Sequence, residues 1–304
     1  MHRYRVYGLT IEADSELTEL LPLASPGEGD VSAEPPEIDV RIRVAPAQSA
    51  SQAANEPGSW AQRLGPNTIV SQFENTARFV VLSGRDVLVE PCAGADPDLV
   101  RHLLLGPVFA QVLWQRSKFV LHGCVLRVGS RQLGFIGMSG AGKSTLAIAL
   151  HEAGHTLVCD DVAALEWSAS PVLVHPALPR MRAFADTLEQ LGVPSAGLAR
   201  AHRDLPKWLL PAQRFADTAL PLDRVYVLSA GERCEVAPLS RAEAMLELLR
   251  NTYYAEQYVG LFGPQTHMEL AGALANGLSV QRLARPREWA RLPELVRFIE
   301  RECA

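Results

Sequence analysis

Alternation of apolar and polar positions opens the chain. The run RYRVYGLTIE (residues 3–12) alternates closely enough to predict a strand, and Glu37–Val44 (EIDVRIRV) predicts another. Between them lies a stretch rich in Pro, Gly, Ser and Glu, Pro22–Pro36, and after them a second loose segment, Ala45–Pro66; both lack periodicity and read as loops or insertions. Thr68–Ser71, Ala77–Ser83 and Asp86–Pro91 read as successive strands of a small sheet, with Gly84 and Arg85 as a turn. Residues 1–96 are therefore expected to form a smaller, β-rich N-terminal domain, and residues 97–304 the larger one.

The pattern changes at Asp96-Pro97-Asp98, a helix start, and the apolar run to Arg116 reads as one helix or as two abutting at Gly106-Pro107. Phe119–Val128 (FVLHGCVLRV) and Gln132–Ile136 are short apolar strands. A glycine-rich turn, Gly137–Thr145, follows, then a helix over Leu146–Ala153 and a strand over Gly154–Cys159 that runs into Asp160-Asp161. Strand, glycine turn, helix and strand in that order make a βαβ-like unit, so the fold class expected is α/β. Later segments are mixed: strands at Asp223–Leu228 and Ser279–Leu283, and helices at Arg241–Arg250, Gly263–Ala275 and Pro293–Glu302.

Composition narrows the class of protein. With 304 residues, 48% of them hydrophobic and 21% charged, the chain has the make-up of a soluble globular protein of one or two domains. A net charge of −5 argues against a general nucleic-acid partner. The most apolar segment, Leu99–Trp114, is broken by Arg101, His102, Gly106 and Pro107, and the first residues carry charge where a signal peptide has an apolar run. A cytoplasmic protein without a membrane partner is the expectation. Five scattered cysteines with no C-x-x-C pair suggest neither a disulfide framework nor a zinc site. Cations are almost all arginine: Lys118, Lys143 and Lys207 are the lysines, so each is a candidate position for a compact ammonium where a planar guanidinium would not suit.

GMSGAGKS (Gly137–Ser144) satisfies G-x-x-x-x-G-K-[ST] directly after a strand and at the start of a helix, which is where a phosphate-binding loop works. Glycines 137, 140 and 142 free the backbone so that the N–H groups of the loop, with Ser139, Ala141 and Thr145 between and after them, can surround a polyphosphate. Lys143 is the expected contact to the β and γ phosphates, and the Ser144 hydroxyl the expected Mg²⁺ ligand. Asp160 and Asp161, at the end of the next strand, are placed to hold Mg²⁺ and to accept a proton from an attacking hydroxyl; adjacent strand residues face opposite ways, so one can serve each role. His122 stands among apolar neighbours, where a lone histidine is more often a satisfied core or edge residue. Arg180, Arg182 and Lys207, in Pro-punctuated segments beyond the aspartates, are candidate phosphate or substrate contacts, with ordinary surface cations as the plain alternative. The aromatics of RNTYYAEQYV either cover a base or peptide or serve helix packing.

The run LHGCVLRVGSRQLGFIGMSGAGKSTLAIALHEAGHTLVCDD resembles the catalytic core of bacterial HPr kinase/phosphorylase, in which a His-Gly strand, a second strand, a phosphate loop, a helix, a Gly-His and a strand ending in Asp-Asp follow one another at this spacing. The resemblance implies a P-loop kinase domain related to phosphoenolpyruvate carboxykinases, using ATP and Mg²⁺ to phosphorylate serine on a protein or peptide. Asp160 would be the base, Asp161 would sit at the metal and His122 would tune the base; which aspartate takes which role stays open. His155 matches a position of the family as well, with a structural residue opening the strand as the stronger alternative. No match to the second signature region of the HPr enzymes is found, which leaves phosphorolysis and a hexamer without support. RVYGLTIEAD, HPALPRMRAF, LPKWLLP and LDRVYVL instead resemble the HPr-kinase-related proteins found with ribosomally made peptides, including kinases of lasso-peptide precursors. The N-terminal domain would recognise the substrate or mediate self-association. Competing expectations are a kinase of an HPr-like carrier, an ATP-sensing regulatory module and a small-molecule kinase.

Overall fold

In the computed structural model the first expected strand is a hairpin. Strands β1 (His2–Val6) and β2 (Leu9–Ala13) pair antiparallel, and Tyr7 and Gly8 between them both take left-handed φ, 53° and 74°, as a two-residue hairpin turn demands. Five more strands, β3 (Val40–Val44), β4 (Ala61–Arg63), β5 (Thr68–Phe73), β6 (Ala77–Leu82) and β7 (Asp86–Pro91), complete a seven-stranded sheet in the order β1-β2-β3-β7-β6-β5-β4. Strand β4 falls in a segment expected to be loose. The turn between β6 and β7 uses Ser83 and Gly84 at positive φ rather than Gly84 and Arg85. The description covers residues 1–20, 37–46, 60–167, 171–202 and 205–303, so most of the two expected loop stretches lies outside the described residues.

One face of this sheet is covered by helix. α1 (Pro97–Leu103), capped by the Asp96 side chain, passes through a wide turn at Leu104–Val108 into α2 (Phe109–Gln115). The widening accommodates Pro107, which lacks an N–H and cannot continue an ordinary helical ladder. Phe109 stacks on Tyr7 with ring centroids 5.4 Å apart, and buried Gln111 exchanges hydrogen bonds with buried Ser71. These contacts place the helical stretch with the N-terminal sheet: the chain divides into compact units at Met1–Ser117 and Lys118–Ala304, not at the expected 96/97 boundary.

The second unit is a mixed α/β body built on strand β8 (Phe119–Val128). β8 pairs antiparallel with β9 (Arg131–Ile136), and at their closest approach a side chain on Gly123 would put its Cβ 2.6 Å from the Phe135 carbonyl oxygen, so only glycine fits. After the glycine-rich loop, helix α3 begins at Lys143, three residues earlier than the sequence suggested, and runs to Glu152. β10 (Thr156–Cys159) and β11 (Val162–Glu166) then both pair with β8. The βαβ-like unit is thus real in order but interrupted in space: β8 lies between β9 and β10 and runs against both.

The remaining strands are β12 (Leu173–Val174), β13 (Arg180–Phe184), β14 (Arg200–His202), β15 (Leu205–Pro211), β16 (Leu220–Pro221), β17 (Arg224–Ala230), β18 (Glu235–Pro238) and β19 (Val280–Arg285). The main sheet has the order β16-β12-β11-β8-β9-β17-β19-β18, with β10 also on β8, and a small sheet has the order β13-β15-β14. α4 (Ala185–Gln190) follows β13; α5 (Arg241–Arg250), α6 (Ala255–Phe262), α7 (Pro264–Gly277) and α8 (Leu292–Cys303) complete the helices of the described residues. α5 carries a capping box between Ser240 and Glu243, which explains why its limits match those expected. α3 is sandwiched: Leu146, Ala147, Ile148 and Leu150 are buried in one core with Leu126, Phe135 and Tyr226 of the main sheet, Met181 and Ala183 of the small sheet, and Leu295 and Ile299 of α8. Burying a side chain such as Ile148 stabilises the fold by about 1.5–3 kcal/mol, so the helix that starts at the glycine loop is firmly anchored. No helix among the described residues is long and apolar enough to cross a membrane.

Candidate functional site

The glycine-rich loop leaves the end of β9 and enters α3. Gly137, Gly140 and Gly142 take φ of 147°, 76° and 85°, values that side-chain-bearing residues resist. The Lys143 ammonium donates to the carbonyl oxygens of Gly137 at 2.7 Å and Met138 at 3.4 Å, and burial pushes its pKa down from the usual lysine range, against the pull of Cys124 and the two aspartates. The N–H groups of Gly140, Gly142, Lys143, Ser144 and Thr145 find no acceptor among the described residues. A helix start with this many unclaimed donors, beside a buried cation, suits an anion.

Asn251 fixes this loop. Standing just after α5, it accepts the Gly137 N–H on its side-chain oxygen at 2.8 Å, donates its amide to the Glu247 carbonyl at 2.8 Å, and accepts the His122 N–H on its backbone carbonyl at 2.7 Å. One buried side chain from a distant helix thus references the loop to β8. Nothing in the sequence singled it out, since an asparagine after a helix is ordinary.

Facing the loop, Asp160 and Asp161 directly follow the end of β10, as expected, but a further strand resumes immediately after them. They form the break between β10 and β11, two segments paired along the same β8, and Asp161 spends that break at φ 71°. A non-glycine residue in this region stores backbone strain, which tends to occur at functional positions. The consequence corrects the expectation that the two carboxylates point opposite ways: both line one cleft, together with His122, Ser139, Gly140, Gly142, Lys143, Ser144, Thr145, Arg182 and Lys207.

Arg182 joins the pair. Its backbone N–H donates to Asp160 Oδ2 at 2.8 Å, and its guanidinium donates to Asp161 Oδ2 at 2.7 Å. The two carboxylates are thereby set apart chemically. Asp161 is paired with a guanidinium in a half-buried site, whereas burial, reinforced by the neighbouring Asp161 charge, pushes the Asp160 pKa up to about 6. His122 Nδ1 lies 3.2 Å from the Asp161 carbonyl oxygen and 3.5 Å from its Oδ1, and burial lowers the histidine pKa despite the Asp161 charge. A neutral ring donating from Nδ1 leaves Nε2 as an acceptor. The Tyr253 ring lies beside it, with centroids 5.9 Å apart and the planes tilted by 40°.

The other basic candidates separate. Lys207 is opposite Phe184 in the β13–β15 ladder, with its ammonium 4.8 Å from the centre of that ring, and lines the cleft. Arg180 also lies on β13 but is not part of the cleft wall. Ala141 is buried within the loop, its carbonyl accepting from the Arg285 guanidinium. His155 instead meets Glu300 of α8 at 3.1 Å, a structural contact. Phe184, Asp186, Thr187 and Trp289 line the cleft without having been singled out from the sequence; they come from two segments, the β13–α4 junction and residue 289.

The donor set bears on a metal. No group of three or more His, Cys, Asp and Glu side chains gathers to hold an ion among the described residues. The Ser144 hydroxyl and the aspartates beside it fit Mg²⁺ that arrives with phosphate oxygens, since that ion commonly takes one or two carboxylates and completes its shell from phosphate and water.

Fold and cleft define a mixed α/β protein with a glycine-rich loop set against an aspartate pair. Among solved structures, the HPr(Ser) kinase/phosphatase from Coxiella burnetii is similar over 60% of this chain and 97% of its own, at 15% sequence identity and a TM-score of 0.33. No protein-family model matches the chain, and no curated protein does.

Proposed function

We propose that this chain is an ATP- and Mg²⁺-dependent serine kinase that transfers the γ-phosphate to a hydroxyl of a protein or peptide, with a ribosomal precursor peptide of the lasso type as the acceptor class. The observation that carries the reading is the Asp160 carboxylate, raised toward neutrality, in the same cleft as the Lys143 ammonium and the unclaimed loop N–H groups. In the transfer the acceptor oxygen bonds to the γ-phosphorus as the bond from that phosphorus to the bridging oxygen breaks, ADP departs, and the hydroxyl proton goes to Asp160. Lys143, released from the Gly137 and Met138 carbonyls, and the loop amides offset the phosphate charge. Ser144 and Asp161 would hold Mg²⁺, which supplies further charge neutralisation. Arg182 pairs its guanidinium with Asp161 and orients Asp160 through its backbone N–H.

The rim of the cleft favours a polypeptide acceptor over a metabolite. Phe184 is 46% exposed on its wall, and Met138, in the loop itself, is 72% exposed. Exposed apolar side chains around a charged centre suit an extended chain with its own side chains to bury. The test is the intact mass of a serine-bearing precursor peptide and of an HPr-type carrier after incubation with the protein, ATP and Mg²⁺. A phosphoryl adduct on the peptide is expected. An adduct on the carrier alone moves the acceptor class, and ATP binding without any adduct replaces the kinase by a nucleotide sensor.

The pH dependence gives a second check. Transfer needs Asp160 ionised, so the single-turnover rate is expected to fall as pH drops through about 6. Removing the like charge in Asp161→Asn lowers the Asp160 pKa and moves that inflection to more acidic pH, whatever happens to the maximal rate. An inflection that stays in place would remove Asp160 from the role of base.

A further inference from the structure

A second cavity adjoins the glycine loop on the side away from the aspartates. Gly140, Gly142, Thr145 and Trp289 line both cavities, whereas His122, Asp160, Asp161, Arg182 and Lys207 line only the first. The walls particular to the second come mainly from one segment, residues 285–295. Pro286, Leu292 and Leu295 join Leu146 of α3 to make it apolar, and Arg285, Arg287 and Glu288 give it charge. This segment leaves β19, which runs parallel to β17, as β17 does to β9, so the glycine loop and residues 285–289 emerge at the same edge of the sheet. In open α/β sheets that edge, at the carboxyl ends of parallel strands, is where ligands lodge.

Arg285 links the two cavities physically. Its guanidinium donates to the carbonyl oxygens of Ala141 and Pro286, while its Nε is buried without a hydrogen bond. It lies flat against the loop where α3 begins: a Cβ on Gly142 would stand 2.2 Å from Arg285 Nη2. Gly142 therefore does more than permit a left-handed φ, because it also leaves room for a cation at the junction of the cavities.

We infer that the second cavity holds the nucleoside end of the phosphate donor, a purine-sized aromatic base lying on Trp289 and against Pro286 and Leu292. The inference rests on the kinase reading and gives the donor a direction. The terminal phosphate lies toward Asp160, where a proton can be taken, and the base lies in the cavity that has an apolar wall and no part of the aspartate centre. Arg285 and Arg287 stand where the sugar and the first phosphate cross from one cavity to the other. The aromatic face, rather than a set of hydrogen bonds, is the main holding element, since stacking on an aromatic side chain is a substantial and base-tolerant interaction.

Calorimetric titration with ATP and with inorganic tripolyphosphate, both with Mg²⁺, separates the two levels of this claim. Full-length protein is expected to bind ATP more tightly than tripolyphosphate. Trp289→Ala should weaken ATP by roughly tenfold while leaving tripolyphosphate unchanged, and Trp289→Phe should keep most of the ATP affinity because it keeps a ring to stack on. Equal ATP affinity in the wild type and Trp289→Ala overturns the base site alone, with the kinase reading intact. A parallel loss of tripolyphosphate would reassign Trp289 to the phosphate side and overturn the base site too. If the wild type binds neither ligand, the nucleotide reading fails, and the inference with it.

Discussion

Replacing Asp160 with asparagine is expected to abolish most phosphoryl transfer and at the same time to make the protein more stable. Loss of a general base lowers rates by roughly 10²–10⁴-fold, and nucleotide binding should survive because the loop and Lys143 are untouched. The stability gain follows from the same burial that raises the carboxyl pKa to about 6. A carboxyl whose folded pKa lies above its unfolded one stabilises the fold fully only while protonated, below its unfolded pKa near 4. That contribution is lost as pH rises through about 6, so above this pH the wild type carries an ionised buried group at a cost on the order of 1–3 kcal/mol. Asparagine has no such ionisation and can still accept the Arg182 backbone N–H. Urea unfolding at pH 8 should therefore favour Asp160→Asn, with the advantage gone at pH 4. A variant that keeps its turnover, or one that is less stable than wild type at pH 8, would contradict the assigned role.

Lys143 carries the second large effect. Lys143→Ala removes the buried ammonium next to the unclaimed amides, and losing one preorganised charge of this kind typically lowers rate by about 10²–10³-fold. Here affinity for both ATP and tripolyphosphate should fall as well, which distinguishes this variant from Trp289→Ala. Lys143→Arg is not expected to rescue either quantity. The ammonium sits within 2.7 Å of the Gly137 carbonyl in a tightly wound loop, and a planar guanidinium is broader and cannot turn among three directions as an ammonium does. Equilibrium binding by the two variants checks this, and full activity in Lys143→Arg would remove the lysine from the phosphate site.

How much of this was legible in the sequence depended on whether the determinant was local. The glycine loop was readable because strand, glycine spacing, lysine and helix occur within one short run, and α5 was readable because its capping box lies in four consecutive residues. The aspartates were recognisable as an acidic pair, but their geometry was not. A strand that breaks and resumes on the same partner looks, residue by residue, like a strand that ends, and an aspartate at φ 71° leaves no mark in a sequence. Tyr7-Gly8 hid a hairpin for a similar reason, because tyrosine is an uncommon choice for the first left-handed position. Asn251, Phe184 and Trp289 were invisible because each acts across a long separation. The helical stretch after Asp96 was assigned to the wrong unit because its partners, Tyr7 and Ser71, lie far back in the chain.

Strand β8 has a larger part in the cleft than its single histidine suggests. β9, which launches the glycine loop, and both β10 and β11, which flank the aspartates, take their register from this one strand, and the Asn251 carbonyl meets it at His122. It behaves as a common ruler. Because a shift of one residue along a strand turns every side chain to the other face, loop, histidine and acidic pair cannot drift independently. Damage to this ruler should therefore appear as a population of molecules with no site at all beside a population with an intact one, while substitutions at the cleft rim change the rate of every molecule alike.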